Sequence, residues 1–193
     1  MKVALRHGVE IEDPLAVALA FVEAYSTYDS YDPSRPDSFD ERDLRLANRG
    51  GARISATQIA AILERSTEIE AALRTIDRHA SLVSRSIPWA PLTRLFDAFA
   101  GIRGVGFSKM TKAIHPKRPA LVPILDSFVQ AYLEALEPES FGERATALVR
   151  SYKEDLDRNR SALRELRREL ESRGYRLTEV RILDVLIWSV QAA

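Results

Sequence analysis

Residues 101–129 read GIRGVGFSKMTKAIHPKRPALVPILDSFV. A glycine-rich turn leads into a short helix, Phe107 to Ile114, that His115-Pro116 stops. Pro119 and Pro123 keep the next piece extended, and Asp126 stands as the cap of another helix. Strand alternation is absent from this stretch, so helix follows helix through punctuated turns. That pattern predicts an all-α protein, and the flanking sequence extends it.

Upstream, Asp13-Pro14 opens a helix with Leu15, Leu19, Val22 and Tyr25 at helical spacing. Tyr31 to Phe39, with Pro33 and Pro36, reads as a loop, and Asp40 to Asn48 as a short helix ended by Gly50-Gly51. Ser55 opens a helix that points Ile59, Ile62, Leu63, Ile69, Leu73 and Ile76 inward and breaks once before Arg85. Pro88 and Pro91 introduce Leu92 to Ala100. Downstream, the Asp126 helix runs to Leu136, and after Pro138 a polar helix of about 30 residues extends from Phe141 to Arg173, closed by Gly174. Leu156, Leu163, Leu166 and Leu170 form a narrow stripe on it, suited to a strap across the domain rather than to a dimeric coiled coil. Thr178 starts a last helix in which Val180 to Trp188 are largely buried. No fixed-period repeat is present, so one domain over 1–193 is expected, its hairpin at about 92–115 and its C-terminal helices, 141–192, packed with the N-terminal helix.

Composition narrows the function classes. With 46% apolar and 29% charged residues the chain is globular, and without Cys it has no iron–sulfur cluster, no Cys-ligated zinc and no disulfide scaffold. The longest apolar run, Leu15 to Val22, falls far short of the roughly 20 residues that cross a bilayer. The N-terminus MKVALRHGVEIEDP turns acidic before a signal region forms, so a cytoplasmic protein with no membrane partner is expected. His7, His79 and His115 lack metal-ligand spacing, and no P-loop, dinucleotide fingerprint or Ser-His-Asp set occurs, so neither metal nor cofactor is expected.

The 28 basic residues balance 28 acidic ones, which argues against wholesale electrostatic binding. The balance is uneven along the chain. Glu10 to Asp43 holds ten acids against two bases, whereas residues 94–118 carry Arg94, Arg103, Lys109, Lys112, Lys117 and Arg118 against Asp97 alone. Gly101, Gly104 and Gly106 fall in the same stretch. A Gly104-Val105-Gly106 turn at a helix start exposes backbone N–H groups at the positive end of the helix dipole, with no side chain to block an anion. Ser108 adds a hydroxyl, and Lys109 and Lys112, three positions apart, share a face from which both can meet one run of phosphates. The plainer alternative is a turn that only joins two packed helices.

Residues 96–129 resemble the helix-hairpin-helix and catalytic-aspartate segment of the helix-hairpin-helix superfamily of DNA glycosylases. Ile102 takes the apolar place before the turn, Gly104-Val105-Gly106 the hairpin, and Asp126-Ser127 the acid with its small hydroxyl neighbour. Ser108 occupies the place where bifunctional members carry a Schiff-base lysine, and the 18 residues from it to Asp126 match the family spacing. Asp43 to Asn48, DLRLAN, fits a bacterial branch with the same hairpin. Arg103 departs from the usual Pro and Phe128 from the usual His. The resemblance implies an all-α fold of two lobes and DNA as partner through its phosphate backbone. With Ser108 in the lysine's place it implies monofunctional base excision: Asp126 stabilises the oxocarbenium-like sugar and activates water, while the base is flipped into a pocket between the lobes. Lys109 lies about 100° around the helix from Ser108, the wrong side for the lysine's role.

Two alternatives remain beside this reading. Asp126 is also a good helix cap, and the same fold without base chemistry serves as a non-catalytic module for DNA binding or protein association. Tyr25, Tyr28 and Tyr31 form a ladder at intervals of three that suits either base stacking or packing, and Trp89 and Trp188, amid apolar neighbours, read as core.

Overall fold

The computed structural model describes residues 2–29, 35–133 and 140–191. Among them are ten α-helices and one two-stranded antiparallel ribbon, so the protein is all-α as its periodicity predicts. The ribbon pairs β1 (Val3–Ala4) with β2 (Glu10–Ile11). The helices are α1 (Pro14–Asp29), α2 (Glu41–Arg49), α3 (Ala56–Leu63), α4 (Ser66–Arg74), α5 (Trp89–Asp97), α6 (Phe107–Ile114), α7 (Ser127–Leu133), α8 (Phe141–Arg158), α9 (Arg160–Ser172) and α10 (Glu179–Gln191). Among the described residues no helix is long and apolar enough to cross a membrane. Tyr31, Pro33, Leu136 and Pro138, which entered the sequence reading, lie outside the described residues.

Local chemistry sets most helix starts. Asp40 and Ser55 each form a reciprocal capping box, with Asp43 and Gln58 three residues on, and Thr178 Oγ1 accepts from Arg181 N at 3.1 Å to cap α10. The expected helix from Ser55 breaks at Glu64-Arg65 into α3 and α4. α5 starts at Trp89, earlier than Leu92, because Pro91 falls in its first turn, where no N–H is needed.

The expected helix over 141–173 is two helices. Asn159 stands at the junction with φ −102° and ψ 11°, and its side chain pairs with the N-terminal ribbon: Oδ1 accepts from Ala4 N at 2.9 Å and Nδ2 donates to Ala4 O at 2.8 Å. Arg6 locks the same junction, its guanidinium donating to Asp155 Oδ2 at 2.7 Å and to Ser151 O at 2.5 Å. The leucine stripe of 156–170 is fully buried.

One apolar core runs from Val3 to Ile187, with α5 packed along α8 and α1 packed against α9 and α10. The N-terminal and C-terminal helices therefore meet, and α2 lies against α6. This leaves the ends of α1, α2, α6 and α10 around one concave region.

Candidate functional site

The turn between α5 and α6 is built by its glycines. Gly101 and Gly104 adopt φ +74° and +75°, the left-handed region where a Cβ is strained, while buried Val105 anchors the turn in the core. Gly106 precedes α6 at φ −101° with open space around its missing Cβ, and among the described residues no side chain caps the helix. Gln58 fastens the turn from α3: its Nε2 donates to Gly104 O at 3.0 Å and its Oε1 accepts from Lys109 Nζ at 2.7 Å. Ser108 is half-buried beside it.

Lys112 takes a different direction from Lys109. It enters a cleft of about 290 Å³ formed by α1, the end of α2, α6, the segment before α7, and α10. Among the described residues its ammonium group makes no ion pair, and burial, with Arg181 and Arg53 adding to it, lowers its pKa against the opposing pull of Asp126. Gly51, at φ +78°, closes α2 beside Lys112, where a Cβ would stand 3.9 Å from the lysine Nζ, and Arg49 lines the same cleft.

One wall of the cleft is aromatic. Trp188 lies 5.5 Å from Phe21, 6.0 Å from Tyr25 and 6.4 Å from Phe128, centroid to centroid. Tyr25 and Phe128, 54% and 38% exposed, are the large apolar side chains left open among the described residues, and both belong to this cluster. Tyr25 leaves helical geometry at φ −131°, ψ 27°. Trp188 is thus a cleft wall rather than the core residue expected, while Trp89 is half-buried under the Arg150 guanidinium, 4.1 Å from its ring.

The floor is polar and tightly made. Arg181 donates twice to Asp29, at 2.6 and 3.0 Å, and lies over the rings of Phe21 and Tyr28. Tyr28 donates to Lys112 O at 2.7 Å, stacks on His115, and packs so closely on Gly50 that a Cβ there would stand 2.8 Å from its ring. Burial pushes Tyr28 well up and His115 down to about 4, so both are neutral; His115 Nδ1 donates to Val122 O at 2.6 Å. Two acids face this region. Asp126, at the rim, accepts from Val129 N at 3.0 Å through Oδ1, capping α7. Asp184, deeper, accepts from Ile124 N at 3.0 Å, and burial, outweighing the attraction of Arg181, pushes it up to about 8.

The residues singled out from sequence therefore separate into two groups. Gly104, Val105, Gly106, Ser108 and Lys109 form the turn and its flank, whereas Lys112 and Asp126 share the cleft. The basic stretch is smaller than its count: Lys117 and Arg118 are buried, paired with Asp43 and Asp37 of the acidic N-terminal third. Arg49, Arg181 and Asp184 were missed, and only the packing of α2 against α6 and of α10 against α1 reveals them. Among the described residues no group of acids and histidines could hold a metal ion.

Residues 20–191 match the model of a family of unknown function. No curated protein and no solved structure matches the chain.

Proposed function

The chain belongs to that family, DUF6308, and we propose that it binds duplex DNA through the α5–α6 hairpin and draws one flipped nucleotide into the cleft for hydrolysis of its N-glycosidic bond. The observation that carries this reading is that Asp126 and Lys112 line one aromatic-walled cleft. The helix that follows the hairpin and the acid of the following segment thus address a single ligand. A base stacks against Trp188 and Tyr25, as aromatic side chains do with every base. Lys112 and Arg49 at the rim attract the flanking phosphates, and the uncapped start of α6 offers backbone N–H groups to another.

In the reaction, the C1′–N bond breaks with its electron pair leaving on the base. The Asp126 carboxylate stabilises the positive sugar and takes a proton from the water whose oxygen bonds to C1′. Its second oxygen is available for this while Oδ1 holds the cap. With DNA as ligand, a role in base excision repair and a cytoplasmic address go with this reading. One observation favours the non-catalytic alternative: Asp126 already has structural work at the start of α7.

Incubation with a panel of damaged and mismatched duplexes, followed by alkali, separates the two. The enzyme reading expects abasic sites with the unmodified protein and none with Asp126→Asn, which still binds duplex. Release that survives Asp126→Asn refutes the assigned role, and duplex binding without release from any substrate supports the module.

A further inference from the structure

Asp184 is 2% exposed on the cleft floor, and its two oxygens are in different situations. Oδ2 accepts from Ile124 N, but Oδ1 has no hydrogen-bond partner, the one buried side-chain nitrogen or oxygen among the described residues without one. Tyr152 on α8 bears on the same carboxyl, but its single hydroxyl proton goes to Val180 O at 2.5 Å. Oδ1 is shielded from water, and because Asp184 lines the cleft a ligand whose seating shifts the adjoining walls can supply its partner. Leaving such an atom unpaired is costly, which makes it a marked exception in a fold this fully paired.

We infer that Asp184 recognises the edge of a nucleobase, its Oδ1–H donating to a ring nitrogen or carbonyl oxygen of a base stacked along Trp188. The inference rests on the reading of the cleft as a base pocket and adds to it the group that selects the ring edge. Because Oδ2 already accepts a backbone N–H, the proton of the neutral carboxyl belongs on Oδ1. The charged and titratable groups around it are Arg181 on its own helix, Asp126 before α7, Tyr152 on α8, Tyr28 and Asp29 on α1, and Lys112 on α6. Burial, reinforced by Asp126, prevails over Arg181, the Ile124 N–H and Tyr152 and holds the carboxyl at about 8, so the donor is present at neutral pH and becomes an acceptor above it.

The test is calorimetric titration with deoxyadenosine and deoxycytidine, which carry no phosphate and whose rings keep one protonation state from about pH 6 to about pH 9.5. The unmodified protein should bind about tenfold more weakly at the higher pH. Asp184→Asn offers an N–H donor at every pH while its oxygen keeps the Ile124 bond, so it should hold the tighter affinity throughout; a melting curve verifies that it is folded. The same fall with pH in Asp184→Asn overturns the inference. So does the absence of nucleoside binding at either pH, and if Asp126-dependent base release persists in that case, the proposed reaction stands without it. Nucleoside binding with the expected profile but no release from any duplex supports Asp184 and overturns the reaction.

Discussion

Lys117 Nζ lies 2.7 Å from Asp43 Oδ1, and both side chains are 3% exposed. Asp43 Oδ2 meanwhile accepts from Asp40 N at 3.0 Å to complete the capping box of α2, so one carboxylate ties the start of α2 to the turn after α6. Arg118 works beside it, fully buried, giving its guanidinium to Asp37, to Leu73 O at the end of α4 and to Ile76 O just beyond it. The charges that look like an anion site in sequence hold the acidic N-terminal third onto the domain.

Lys117→Met should therefore act on stability. Leaving Asp43 buried without its partner costs about 3–5 kcal/mol, whereas Lys117→Met combined with Asp43→Leu, which removes both charges, should cost less than Lys117→Met alone. Urea unfolding midpoints of the two variants check this, and a double variant less stable than the single one would refute it.

The same pair shows how far the sequence could be read. Helix starts at Asp40, Ser55 and Thr178 are legible because the cap and its N–H donors lie within three residues. The break at Asn159 is not, because its cause is Ala4, 155 positions away. Lys112 and Asp126 are legible as chemistry-bearing residues near a turn. Arg181 and Asp184 lie in a helix whose apolar neighbours make it read as core, and only the packing of α10 against α1 turns them to a shared floor. Charge counts failed for Lys117 and Arg118 because composition records a charge without its direction.

Gly50→Ala and Gly104→Ala should both destabilise, for different reasons. Gly50 has an ordinary φ of −78°, so its penalty is the collision with the Tyr28 ring, about 1–3 kcal/mol, and it should disturb the cleft through Tyr28. Gly104 at φ +75° carries a backbone penalty of about 1–2 kcal/mol, and its new methyl meets the movable end of Gln58, weakening the clasp on the turn and on Lys109. Thermal unfolding measures the cost. Tryptophan emission should change in Gly50→Ala and remain unchanged in Gly104→Ala, since Trp188 shares the Tyr28 cleft.

Asp184 should give the protein a distinctive stability profile against pH. Its folded pKa, about 8, is raised above the ordinary carboxylate value of 3.8, so the native state keeps a proton that the unfolded chain releases. The stability associated with that proton is fully present below about pH 4, falls as pH rises, and levels off above about pH 8. Asp184→Asn removes the titration, so its profile should be flatter and its stability above pH 8 higher, by on the order of a few kcal/mol. Urea midpoints across this range check the sign, and parallel profiles for the two proteins would show that Asp184 is ionised in the fold.

Duplex affinity should depend on salt through few residues. Each phosphate neutralised by a cation contributes a slope of about −0.9 in log affinity against log salt. Lys112, whose ammonium group is unpaired among the described residues and lies at the cleft, should remove about one such unit when changed to Met. Lys109 is engaged with Gln58, so Lys109→Met should remove about one unit only if duplex displaces that contact, and Gln58→Ala, which frees the lysine, should then tighten binding. Lys117→Met, measured where it remains folded, should leave the slope unchanged, because a cation 3% exposed against Asp43 meets no phosphate. Filter-binding or fluorescence titrations from low to moderate salt distinguish the three. A slope unaffected by Lys112→Met, with Lys117→Met lowering it, would mean that DNA meets a different face of the protein.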